Sequence, residues 1–185
     1  YSRRGVYVRR GTVSSNGEGD ESVSVGYQVS SDHQLARLLQ IGIVLEEVVE
    51  ARAYHHHEEL DEDALDEEIR ALLSHAAEES ADHRERLEAV IDRLEVDSVP
   101  FEEIEALVEA QYGQTKPEDF DGVLYDQLCN EETAYKFYDD VIEAIEASEA
   151  QFSIDREELV ATLSAIRDEE AEGVEEVTRI MEARE

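Results

Sequence analysis

"IGIVLEEVVEARAYHHH", residues 41–57, sets three carboxylates, Glu46, Glu47 and Glu50, inside one of the most apolar stretches of the chain. On a helix, Ile41, Ile43, Val44, Leu45, Val48 and Val49 leave almost no wet face for them. At least one of the three therefore points inward. A carboxylate buried alone is so costly that it neutralises, pairs with a cation or coordinates a metal. Which of the three holds decides what this helix is for.

Working outward from this stretch, the pattern is helical from Ser31-Asp32, a good cap, to the end of the chain. Apolar periodicity predicts long helices at about 32–58, 62–96, 118–148 and 154–184, with a short one near 101–111. Pro100, Gly113 and Pro117 punctuate the middle crossing, and the other two connections are short. The expected fold is all-α: two helical hairpins joined by one long crossover that contains the short helix. Residues 1–31 differ in kind. "VYV" (6–8) and "SVSVGYQVS" (22–30) alternate with a period of two around an Asn-Gly turn signal in "SSNGEGD" (14–20), which predicts a β-hairpin. Its first strand carries Arg3, Arg4, Arg9 and Arg10. An isolated hairpin is marginal, so this basic arm is expected to lie on its own bundle, residues 32–185, or on another subunit or protein partner.

Two internal correspondences organise the bundle. At an offset of 90, the second-helix stripe Ile69, Leu73, Ala76, Ser80, His83, Leu87, Val90, Leu94 matches the fourth-helix stripe Leu159, Leu163, Ile166, Glu170, Gly173, Val177, Ile180. Steps of four and three mark one buried helix face, and the polar interruption falls at the same two places in both. At an offset of 84, Glu47 and Tyr54 match Glu131 and Tyr138, and Glu131 lies in the stripe Leu124, Leu128, Glu131, Tyr135, Tyr138, Ile142, Ile145. That match predicts Glu47 as the inward glutamate of the opening stretch.

A buried Glu on each of two helices, with a Glu-x-x-His slot on each of the other two, is the constellation that holds two metal ions in a bundle. With "EVVEARAY" (47–54) and "EETAYKFY" (131–138), the chain resembles the ferritin-like superfamily, and within it the rubrerythrin-type proteins, over residues 32–185. The resemblance implies a metal site at Glu47, His83, Glu131 and Glu170. Ser80 stands in the family's second-helix Glu slot and Gly173 in its fourth-helix His slot, so ligands remain for about one ion per chain. Oxygen ligands with one imidazole suit iron, with manganese or zinc as alternatives. Glu79 and His75 flank Ser80 and His83 on the same helix and could lend a substitute carboxylate. The implied function is metal binding in iron handling or oxidant defence. The competing reading is a metal-free, non-enzymatic bundle serving as an assembly or partner-binding module, in which the glutamates bond to Tyr54, Tyr138 or an arginine. His55, His56 and His57 point about 100° apart on a helix and cannot converge on one ion, so they read as partners of the helix C-terminal dipole. Cys129 reads as a small buried filler, and Tyr135, Phe137 and Tyr138 read as core.

Composition narrows the setting. The chain has 49 acidic residues against 16 basic ones, for a formal charge of −33, and its only lysines are Lys116 and Lys136. Dense carboxylates with lysine replaced by arginine suit a cytoplasmic protein working in multimolar salt. The absence of a basic stripe on the body argues against nucleic acid. No apolar run is long enough for a transmembrane helix, and the lone Cys129 excludes an internal disulfide, a Cys-x-x-Cys pair and a rubredoxin-like cysteine module. The sequence begins at Tyr1, not at methionine, which leaves room for an upstream segment. Dilution from molar salt to 0.1 M, where the Debye length reaches about 10 Å, should lower helicity and melting temperature as the carboxylates begin to repel. Circular dichroism unchanged by that dilution would exclude a salt-dependent fold.

Overall fold

The computed structural model describes residues 28–59, 66–97 and 122–185, together with Glu102 and Ala106. Four helices make up most of this: α1 (Asp32–Glu59), α2 (Glu67–Asp92), α3 (Val123–Ala147) and α4 (Arg156–Glu182). The described residues contain no strand, so the all-helical, four-helix expectation holds for them. Apart from residues 28–31, the expected hairpin arm lies outside the described residues. So does the expected short helix at 101–111, except for Glu102 and Ala106, which are helical.

Local chemistry sets the helix ends. At α1, Ser31 Oγ accepts from Gln34 N–H at 3.2 Å while Gln34 Oε1 accepts from Ser30 N–H at 2.7 Å, a variant of the reciprocal cap. Asp66 caps α2 by accepting from Ile69 N–H at 3.0 Å, and Asp155 caps α4 by accepting from Glu158 N–H at 3.0 Å. α2 therefore starts at Glu67, later than the periodicity alone predicts. No side chain caps α3; Gly122 precedes it with φ 123°, a backbone conformation that only glycine adopts without strain.

Contacts between helix ends fix the directions. Ser148, after α3, donates its hydroxyl to Val29 O just before α1, and Ser153 N–H donates to Asp32 at 3.0 Å. The start of α1 thus lies beside the end of α3. Arg93, after α2, donates to Glu158 near the start of α4 at 2.9 Å, while Arg179 in the last turn of α4 donates to Glu68 in the first turn of α2 at 3.3 Å. α1 is antiparallel to α3, α2 is antiparallel to α4, and the order is up, down, down, up. α2 and α3 consequently run the same way. The end of α2 and the start of α3 therefore lie at opposite ends of the bundle, about 39 Å apart for 26 helical residues at 1.5 Å each, which a short connection cannot span. No helix among the described residues is long and apolar enough to cross a membrane.

The core is unevenly divided. Leu35, Leu39, Leu87, Val90, Val141, Ile145, Leu159, Leu163 and Ile166 belong to one large apolar cluster at the end where α1 begins. Toward the other end the described residues form small clusters, Ala53 with Leu73, and Leu72 with Val177 and Ile180. A buried polar tie helps to close that end. Asp126, fully buried, accepts from Arg52 at 2.8 Å and lies 2.7 Å from His56 Nε2, joining α1 to α3. His56 is thus a buried partner of a carboxylate, which corrects its reading as a residue held only by the helix dipole. Taking away one member of a buried pair leaves the others uncompensated and costs about 3–5 kcal/mol. Asp126→Ala should lower the unfolding free energy in urea by about that much, whereas Asp140→Ala, which removes the surface partner of Lys136, should change it little. Near-equal effects of the two substitutions would mean that the buried tie does not hold this end together.

Candidate metal centre

Where the large apolar cluster ends, each helix contributes one ionisable side chain to the interior. These are Glu46 of α1, His83 of α2, Glu131 of α3 and Glu170 of α4, exposed by 1%, 1%, 6% and 4%. His83 Nδ1 lies 3.2 Å from Glu46 Oε1 and 3.0 Å from Glu170 Oε1, and its Nε2 lies 2.7 Å from Glu169 Oε2. The Tyr138 hydroxyl, itself buried, donates to Glu46 Oε1. Gln127 Nε2 donates to Glu131 Oε1 at 2.6 Å, and Glu131 is hydrogen-bonded to Glu170. Glu46 Oε2 has no hydrogen-bond partner among the described residues.

Three of the four residues expected at the site, His83, Glu131 and Glu170, meet here. The fourth does not. Glu47 is 39% exposed on the outside of α1, 3.7 Å from Arg84, which also holds Glu50 at 2.6 Å. Tyr54, expected beside it, is exposed as well. The inward residue is Glu46, one position earlier and therefore about 100° round the helix. A stripe with alternating steps of four and three does contain it: Leu35, Leu39, Gly42, Glu46, Val49, Ala53, His56, all buried. The offset between α1 and α3 is thus 85, pairing Glu46 with Glu131 and Ala53 with Tyr138. Gly42 belongs to the site for a steric reason: a Cβ there would lie 3.1 Å from both Leu87 Cδ1 and Phe137 Cε1. Its bare backbone lets α2 and α3 close on α1.

Gly173 is explained the same way. A Cβ at 173 would lie 2.7 Å from Glu131 Cδ, so the Glu131 carboxylate fills the space that a side chain on α4 would take. Ser80, buried on α2, is the other small residue at this level. Between them opens a cavity of about 70 Å³ whose walls include Glu79, His83, Glu131, Glu169 and Glu170. Glu79 Oε1 lies 4.0 Å from His83 Nε2, and His75 lies 3.0 Å from Glu79 on the outside. Sequence reasoning missed Glu169, a half-exposed neighbour of the buried stripe that a stripe alone does not select. Cys129 is half-buried, not a core filler.

The electrostatics of the centre follow from its dryness. Burial alone would push the His83 imidazole down, but its hydrogen bonds to Glu170 and Glu46 and their charges carry it up to about 11. Burial raises Glu131, and the nearby Glu46 adds to this. Burial also raises Glu170 well above the carboxylate range, reinforced by Glu46 and Glu131. Two carboxyls in mutual contact do not readily ionise together, so the pair tends to keep a shared proton. The geometry can act as a proton store, or it can give up protons to a cation bound by the same atoms. One oxygen each from Glu46 and Glu170 and one nitrogen of His83 lie within 4.8 Å of one another. Compared with protein-family models, curated proteins and solved structures, the chain matches none.

Raised values for His83, Glu131 and Glu170 all mean that the folded centre binds more protons than the unfolded chain, so stability must fall as pH rises. The His83 part is fully present below pH 6.5 and is lost on the way to about 11. In chelated protein the melting temperature should therefore decline steadily from neutral into alkaline buffers. A rise over that interval would mean that His83 is neutral in the folded protein.

Proposed function

We propose that the chain is a ferritin-like metal-binding bundle holding about one divalent ion per chain at Glu46, His83 and Glu170, with Glu131 beside them. The observation that carries this reading is the convergence of one ionisable side chain from each of four helices on a single buried level, with Glu46 Oε2 left unpartnered. A buried carboxylate oxygen with no donor is suited to a cation. Carboxylate oxygens with a single imidazole are a hard donor set that fits iron or manganese. The up, down, down, up order with one long crossover is consistent with the ferritin-like resemblance. Ser80 and Gly173 supply no ligands for a second ion, and Glu131 occupies the space above Gly173. The proposal is therefore iron handling or oxidant defence through a site for one ion, without chemistry that needs a pair.

A second reading is favoured by one specific feature. Both nitrogens of His83 already face carboxylates, Nδ1 toward Glu46 and Glu170 and Nε2 toward Glu169. An imidazolium so placed does the work of a cation by itself, and the bundle would then be a metal-free scaffold for assembly or partner binding.

Metal analysis of protein purified without chelator or affinity tag, followed by cobalt(II) titration and dialysis, separates the two. The first reading expects about one retained ion per chain, lost in Glu46→Gln and kept in Glu47→Gln, whose side chain lies outside. Parent protein that retains no ion after dialysis would leave the imidazolium scaffold standing.

A further inference from the structure

The His83 ring separates two carboxylate groups. Its Nδ1 faces Glu46 and Glu170 in the interior, and its Nε2 faces Glu169 at 2.7 Å and Glu79 at 4.0 Å. The second group also offers one ligand atom per residue within 4.8 Å of one another. Unlike the first, it is open to water, Glu79 being 23% and Glu169 36% exposed at the side chain. Glu79 and Glu169 stand on α2 and α4 at the gap left by Ser80 and Gly173, and they share the walls of one cavity with Glu131 and Glu170. That cavity continues from the half-exposed carboxylates to the buried ones.

The cavity is small, about 70 Å³, and both half-exposed and buried carboxylates line it. Small divalent ions give up water reluctantly, and a carboxylate at the mouth can replace what is lost. A positive group already sits there: Arg86 donates to Glu169 at 2.6 Å and, through its Nε, to Asp82 at 2.7 Å. Asp82 can keep the guanidinium while Glu169 exchanges it for another cation.

We propose that Glu79 and Glu169, flanking His83 Nε2, form an outer station where a divalent cation sheds water before passing through the Ser80–Gly173 gap to the buried carboxylates. The uptake role rests on the metal reading above, whereas the outer station can bind whether or not the buried site does. Arg86 is its resident counter-ion. The outer pair sets the rate of loading; because Glu169 also holds His83 Nε2 at 2.7 Å and so supports the buried site, final stoichiometry is read at saturating cobalt.

Two measurements with manganese(II) and cobalt(II) in molar potassium chloride, which screens the general acidic surface, test this. In the first, Glu46→Gln disables the buried site. Manganese relaxation enhancement should still show one weak ion per chain, and that signal should vanish when Glu79→Gln and Glu169→Gln are added. Equal weak binding with and without the outer pair would overturn the station, whatever the buried site does. In the second, stopped-flow cobalt uptake by the Glu79→Gln, Glu169→Gln protein should be severalfold slower, because the oxygens that replace lost water at the mouth are gone, while the final stoichiometry equals that of the parent. Arg86→Gln should load faster than the parent. Loading of the outer-pair variant at the parental rate would remove the uptake role. A parent that retains no cobalt while the weak manganese signal persists would sink the metal reading and spare the outer station.

Discussion

The structure depends on how His83 is compensated. An imidazole at 1% exposure in the middle of a four-helix bundle would ordinarily be neutral, since a lone buried charge is expensive. Here Glu46 and Glu170 approach one nitrogen and Glu169 the other, so the protonated ring is the member of the group that makes the rest affordable. Remove that charge and Glu46, Glu131 and Glu170 are left as buried carboxylates with too few donors: a tyrosine hydroxyl, a glutamine amide and one another. Beyond the proton that Glu131 and Glu170 tend to share, a proton on His83 or a metal ion is what compensates the carboxylates at this level. The two candidate functions differ only in which of these it is.

Small residues make that level possible. Gly42 lets Leu87 and Phe137 close on α1, and Phe137 stacks edge-on against Tyr138 at 5.3 Å between ring centroids. Tyr138 is thereby held where its hydroxyl meets Glu46. On the other side, the missing side chain at 173 gives Glu131 its place against α4. Gly173→His would drive its new side chain into the Glu131 carboxylate. The bare backbone at 173 and the inward lean of Glu131 are one feature seen from two helices.

Much of this was legible in the sequence. The stripes through Ala76 to Leu87 and Ile166 to Val177 place Ser80, His83, Glu170 and Gly173 correctly, because α2 and α4 each have one apolar face and a charged remainder, so the phase of the helix is unambiguous. Glu131 is found for the same reason. α1 is different: Leu38, Leu39, Ile43, Val44, Leu45 and Val49 are all buried, so hydrophobicity does not mark a single face. With the phase weakly specified, the Glu-to-Tyr spacing of Glu47 and Tyr54 decides the register and errs by one residue. An α1 stripe built by steps of four and three from Leu35 reaches Glu46 and His56, and it would have found both buried polar levels. Asp126 is harder. It lies near the start of α3, where an acidic residue is expected on grounds of the helix dipole alone, and nothing local distinguishes a solvated aspartate from one paired with Arg52 and His56.

Arginine holds the outside of the bundle as the imidazole holds its centre. The two hairpins are joined less by apolar contact at the far end, where the clusters are small, than by guanidinium groups that cross between them. On α2 and α4, Arg93 reaches Glu158 at one end, and Arg179 and Arg184 reach Glu68 at the other. Within the hairpins, Arg84 of α2 gathers Glu47 and Glu50 of α1, and Arg167 of α4 meets Asp139 of α3 at 3.0 Å. A planar guanidinium can serve two carboxylates at once, which an ammonium does less well. In a chain with 49 acidic and only 16 basic residues, Arg84, Arg86, Arg167 and Arg184 each do so. Several of these groups tie two helices, as Arg84 ties α2 to α1 and Arg86 ties α2 to α4. Individually such exposed pairs contribute little, and salt that screens the surrounding repulsion also weakens them. Docking of the hairpins therefore relies on the apolar cluster that all four helices share and on the buried levels, His83 among its glutamates and Asp126 between Arg52 and His56, which salt screens less.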